Sequence, residues 1–205
     1  MTTTQKIEIR HPLAFRILHE IILVAIILLV LTGFYIHRPF VGGGGFLMSL
    51  ARGVHFFAAG VLTISVVLRI VGMFFGPNRD WRSFIPTAAD FKLFPKVINY
   101  YAYIGKEPVI TKKYNPLQMI SYCLAFILII FQIISGFALK YPDGWLAGFN
   151  YTLFNNEIEV RIAHYVVNWL FVLFLMIHVY LTFREKFAEI KEMHLYSTTE
   201  ESSRS

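Results

Sequence analysis

Four stretches of this chain are long and apolar enough to cross a bilayer, and that feature alone removes most folds from consideration. They run roughly over Leu13–Ile36, Val54–Phe75, Pro116–Leu139 and Ile162–Phe183. Each reaches the ~20 residues that a helix needs to span about 30 Å of hydrocarbon. No water in the bilayer core can satisfy a backbone amide, so each stretch must be a helix that closes its own hydrogen bonds. The expected fold is all-α, a single four-helix transmembrane bundle over residues 1–205. Composition agrees, at 56% hydrophobic and only 16% charged residues, well away from a soluble domain. The first stretch lacks a small-residue cleavage site and runs too long for a signal peptide, so it is read as a retained span.

The basic residues divide unevenly between the two sides. Lys6, Arg10 and Arg16 precede or open the first span. Arg79, Arg82, Lys92, Lys96, Lys106, Lys112 and Lys113 lie between the second and third, and Arg184, Lys186, Lys191 and Arg204 follow the fourth. The opposite side holds Arg38, Arg52, Lys140 and Arg161. The positive-inside rule places both termini in the cytoplasm. The net charge of +6 then belongs beside lipid headgroups and calls for no nucleic acid.

Within the fourth span, His164 and His178 stand fourteen residues apart. That is about 21 Å along a helix, on nearly the same face. Topology supplies a partner at each depth. His55, at the outer start of the second span, is level with His164. His19, near the inner start of the first, is level with His178. Imidazole is a strong-field ligand for haem iron, and ionisable groups inside a membrane are functional by default. Two bis-histidine sites for two haem b groups are therefore expected, with His19, His55, His164 and His178 as metal ligands. The competing reading makes each histidine a polar contact between helices. With both axial positions filled, electron transfer is favoured over oxygen activation. His11, His37 and His194 lie at span ends or in a tail and are read as interfacial or solvated.

One cysteine, Cys123, excludes an intrachain disulfide, an iron–sulfur cluster and a covalent haem attachment; it is read as a small packing residue. Haem propionates need cationic partners. Arg52, Arg161 and Arg16 each precede a candidate ligand by three residues, and Arg69 lies fourteen beyond His55 inside the second span. Headgroup snorkelling is the alternative for the first three, whereas Arg69 points to a propionate or a quinone. Gly33, Gly60 and Gly136 sit inside spans, and Gly33, fourteen residues after His19 and level with the outer pair, admits either a macrocycle or close helix packing. Gly42–Gly45 reads as a plain loop, since no Lys-Ser/Thr follows it. In the long inner connection, Thr87-Ala-Ala-Asp90 resembles a helix start. The aromatics and lysines that follow suit a membrane interface or a docking surface.

At this point the chain resembles the b-type cytochrome subunits of membrane-bound nickel–iron hydrogenases. The marks are RILHE, then RGVHFFAAGVLTISVVLRI with GPNRDWRSF, then NPLQMISYCLAF with ISGFALKY, and RIAHYVVNWLFVLFLMIHVYLTFRE. The gamma subunit of formate dehydrogenase is similar in fold and ligand scheme. The resemblance implies the same four ligands and a location in a prokaryotic cytoplasmic membrane. It implies as partners an iron–sulfur small subunit and, through it, a large catalytic subunit. It also implies a menaquinone or ubiquinone site beside the inner haem, with Asn115 and Gln118 as candidates. Where hydrogenase cytochromes usually carry His before Asn-Pro this chain has Tyr114, and where a Trp commonly follows the first ligand it has Glu20. Both join the quinone candidates, Glu20 as a proton relay. The other readings are a formate dehydrogenase or other molybdenum-enzyme subunit, a haem-free anchor, and a small transporter.

Overall fold

The computed structural model describes residues 13–41, 45–76, 81–110, 112 and 114–184. His11, His194 and Gly42–Gly44 lie outside them. Among the described residues there are five α-helices: α1 (Leu13–His37), α2 (Phe46–Phe75), α3 (Ala88–Tyr101), α4 (Pro116–Lys140) and α5 (Glu157–Arg184). All but α3 are long and apolar enough to cross a membrane. A 3₁₀ turn (Trp81–Phe84) precedes α3, and a π turn (Phe149–Leu153) lies between α4 and α5.

Two of the long helices begin earlier than the apolar runs suggest. α2 starts at Phe46 rather than Val54, directly after Gly45, whose φ of 70° suits a glycine. α5 starts at Glu157 rather than Ile162. There the Asn156 side-chain oxygen accepts from the amides of Ile158 (2.9 Å) and Glu159 (3.1 Å). Glu157 and Glu159 occupy the first turn, where carboxylates complement the helix dipole. Caps end a helix, whereas charge ends an apolar run, and here the two do not coincide.

α1 packs chiefly on α2 and α4 on α5, with α1 also touching α5. The buried centre is Ala25, Leu62 and Val66, surrounded by Ile22, Ile26, Leu29, Ile129, Ile130 and Ile133. Large apolar side chains elsewhere face outward, among them Leu31, Ile64, Ile127 and Met176. Such a surface suits lipid and would be a liability in water. Cys123 is exposed on this face rather than packed inside, its sulfur 3.8 Å from the Phe84 carbonyl.

The connection between α2 and α4 folds back onto the bundle. Thr87 and Asp90 cap α3 reciprocally, with Thr87 donating its amide and its hydroxyl to Asp90 Oδ2, each at 2.7 Å. Lys112 pairs with the same carboxylate. At the far end of α3, Tyr101 is buried. Its hydroxyl accepts from Asn115 Nδ2 (2.9 Å), and its carbonyl accepts from the Tyr180 hydroxyl (2.8 Å). One residue thus ties α3 to the start of α4 and the end of α5. In the other loop, fully buried Asn150 donates to the Ala138 carbonyl (3.0 Å), and the rings of Phe131, Phe149 and Phe154 pack on one another.

Candidate functional site

At the end of the bundle where α1 begins, the rings of His19 and His178 face one another, centroids 6.4 Å apart and planes at 47°. A metal–imidazole bond is about 2 Å and the ring centre lies about 1 Å further out. Two imidazoles on opposite sides of one metal therefore have centroids about 6 Å apart. The spacing accommodates a single metal atom between the rings. Phe174 stacks on His178 one turn earlier in α5 (5.7 Å, 17°) and limits its rotation. Glu20 Oε1 lies 3.9 Å from His19 Nδ1.

At the other end stand His55 of α2 and His164 of α5. Each ring is held by a hydroxyl from the neighbouring helix. Thr32 Oγ1 of α1 lies 2.9 Å from His55 Nδ1, and Ser135 Oγ of α4 lies 2.7 Å from His164 Nδ1. Gln132 Nε2 donates to the His164 carbonyl (3.0 Å) and fixes that turn of α5 against α4. Two of the three in-span glycines border a histidine ring and the third does not. A Cβ at Gly33 would meet His55 Cε1 at 3.6 Å, and one at Gly136 would meet His164 Cε1 at 3.4 Å, whereas Gly60 has nothing within 4 Å. Thr32, Ser135 and Gln132 escape a histidine-led reading of the sequence. The signal for Thr32 and Ser135 was a hydroxyl placed directly before an in-span glycine, once in α1 and once in α4.

Among the described residues, no three His, Cys, Asp or Glu side chains converge as a metal site would require. Facing imidazoles such as His19 and His178 could offer two ligands to one metal and would leave the rest to another donor. A porphyrin supplies four in a plane, so the donor set fits haem.

The arginines take different positions. Arg16 is buried, at 3% exposure, while Arg52 and Arg161 are exposed. The Arg69 guanidinium lies 4.2 Å over the Phe15 ring and 6.0 Å from that of Phe84. This cation–π stack holds a charge at the same end of the bundle as His19 and His178. Tyr114 is buried against Phe84 and Tyr122. Asn115 and Gln118 form a capping box at the start of α4, with Gln118 N donating to Asn115 Oδ1 (2.8 Å) and Asn115 N to Gln118 Oε1 (3.0 Å). His37 stacks on Tyr165 at 3.8 Å on the exposed rim, as an interfacial residue would.

The profile of a family described as "Prokaryotic cytochrome b561" matches residues 10–194. A "Probable Ni/Fe-hydrogenase B-type cytochrome subunit" of Bradyrhizobium diazoefficiens is 30% identical, covering 83% of this chain and 75% of its own length. A protein of the same name from Azotobacter chroococcum is 32% identical, covering 83% and 78%. The "Probable Ni/Fe-hydrogenase 1 B-type cytochrome subunit" of Escherichia coli K12 is 28% identical, covering 83% and 80%.

Proposed function

The chain belongs to the prokaryotic cytochrome b561 family, and from that membership we propose that it is the dihaem membrane cytochrome of a nickel–iron hydrogenase. It anchors the complex and carries electrons from an iron–sulfur subunit to menaquinone or ubiquinone. Family membership brings b-type haem, and the hydrogenase comes from the relatives' names. The facing of His19 and His178 across 6.4 Å carries the reading, because it is the spacing of two axial ligands on one metal.

His19 and His178 hold the inner group, and His55 and His164 the outer one. Bound haem supplies a one-electron couple at each of the two depths. The residues do the rest. The paired imidazoles would hold the iron of each haem and leave oxygen no vacant place on it. Arg16 and Arg69 at the inner end, and Arg52 and Arg161 at the outer, offer cations to propionates. Basic residues crowd the inner side, so both termini are cytoplasmic and the His55–His164 end faces outward, toward the hydrogenase.

The quinone site belongs at the His19–His178 end, where protons enter from the cytoplasm. Glu20 supplies a carboxylate beside His19, and Tyr114, Asn115 and Gln118 line the start of α4. A quinone carbonyl bound by Asn115 or Gln118 would have to compete with their capping hydrogen bonds. Glu20 is therefore the first residue to vary. The Glu20→Gln protein should keep both haems but lose most hydrogen-dependent quinone reduction.

The deciding experiment is a reduced-minus-oxidised spectrum of the purified protein with haem quantified per chain. Two b-type haems are expected, falling to about one in His55→Ala and in His19→Ala. A well-folded protein without haem would leave only a membrane anchor.

A further inference from the structure

Thr32 and Ser135 do the same thing at two unrelated helix contacts. Each hydroxyl carries one proton. Thr32 Oγ1 lies 2.6 Å from the Leu28 carbonyl one turn back, and Ser135 Oγ lies 2.7 Å from the Phe131 carbonyl. A carbonyl can only accept, so in each case the hydroxyl proton goes to it, as helical Ser and Thr commonly arrange. What the hydroxyl turns toward the histidine is then a lone pair. A lone pair at 2.9 Å from His55 Nδ1 and 2.7 Å from His164 Nδ1 is matched by the tautomer in which that nitrogen carries the proton. A neutral imidazole has a single N–H, so Nε2 of each ring is left with its lone pair exposed.

The residue after each hydroxyl is glycine. Its missing Cβ leaves open the side of the ring where Cε1 lies, at 3.6 Å for His55 and 3.4 Å for His164. A larger side chain at either place would push the ring away from its hydroxyl. Thr32-Gly33 on α1 thus serves the α2 histidine, and Ser135-Gly136 on α4 serves the α5 histidine.

We propose that these hydroxyl–glycine pairs are positioning elements for the outer haem, presetting both imidazoles in the Nε2-ligating tautomer and raising their donor strength. The proposal rests on reading His55 and His164 as haem ligands. A hydrogen bond accepted from the non-ligating nitrogen makes an imidazole more basic. A more basic ligand favours ferric over ferrous iron, so the hydroxyls hold the outer haem at a lower potential than its ligands alone would set.

The test uses the intact haem-loaded protein. Thr32→Val keeps the shape and removes the hydroxyl, and Ser135→Ala does the same on α4. Thr32→Ser restores the hydroxyl. Thr63→Val is the control, because among the described residues Thr63 donates to the Ala59 carbonyl and touches no histidine. Redox titration, haem quantification and the low-spin ferric resonance are read for each. Thr32→Val and Ser135→Ala should each raise one midpoint potential, the same one, and weaken haem retention about tenfold. Thr32→Ser should return both readings to wild type, and Thr63→Val should move neither. If Thr32→Val sheds a haem outright, Thr32→Ser must recover it. Unmoved potentials in Thr32→Val and Ser135→Ala, or a serine variant that fails to restore them, overturn the proposal. His55→Ala separates the two failures. If it keeps both haems, the ligand reading has failed; if it loses one while Thr32→Val changes nothing, only the hydroxyl's role has.

Discussion

Gly72 and Gly60 lie on the same helix and respond oppositely to an added methyl group. A Cβ at Gly72 would sit 2.9 Å from Phe15 Cε1, closer than atoms tolerate. Phe15 is the ring beneath the Arg69 guanidinium, so moving it disturbs the charge at the inner end. Gly72→Ala should therefore cost about 1–3 kcal/mol through overpacking, read as a lower thermal midpoint in detergent. At Gly60 a Cβ meets nothing within 4 Å, and Gly60→Ala should be neutral or stabilising by up to about 1 kcal/mol, the helical cost of glycine. Gly136 is intermediate, since its missing Cβ already lies at 3.4 Å from the His164 ring. A Gly136→Leu chain should fold yet hold about one haem fewer, by optical quantification.

At the scale of elements, the inner connection is held by polar groups at both ends. The Lys112 ammonium, with the Thr87 hydroxyl and amide, holds the Asp90 carboxyl down from its ordinary 3.8 to about 2. A carboxyl lowered in the folded state stabilises it at every pH above the ordinary value, and that contribution disappears as pH falls toward 2. Hydrogen-exchange protection of α3 should thus decline between about pH 4 and pH 2, and Asp90→Asn should remove that pH dependence. The other end turns on Asn115, which caps α4 and donates to Tyr101. Asn115→Ala loses the cap, worth about 1 kcal/mol, and strips a buried hydroxyl of its donor, worth about as much again. Asn115→Asp keeps the cap and can accept from the tyrosine instead. Chemical unfolding should place it near wild type and the alanine variant well below.

For the whole molecule, the uneven charge makes the orientation testable without any knowledge of chemistry. A fluorescent protein fused to the C-terminus should glow, and a periplasm-dependent phosphatase at the same place should stay inactive. The reverse pattern would put the His55–His164 end in the cytoplasm and exchange the proposed hydrogenase and quinone faces.

Along the membrane normal, a chain of spanning helices is almost one-dimensional. Rise per residue converts sequence position into depth, so His19 and His178, or His55 and His164, were matched in level by counting alone. The helix over Thr87–Asp90 was legible for a similar reason, because a capping box is written in four consecutive residues. Sequence by itself therefore determined the number of spans and their order, and it singled out four histidines and an uneven division of charge. Across the membrane plane there is no such ruler. Which face of α1 meets α2, and which turn of α4 meets α5, depends on side-chain packing between segments distant in the chain. Only tertiary structure decided that Thr32 and Ser135 meet the outer histidines, that Gly33 and Gly136 border a ring while Gly60 does not, and that Tyr101 joins three helices. It also decided where helices begin, since α2 and α5 run past their apolar stretches to their own caps. Depth follows from the local geometry of one helix, whereas lateral contact is a property of pairs.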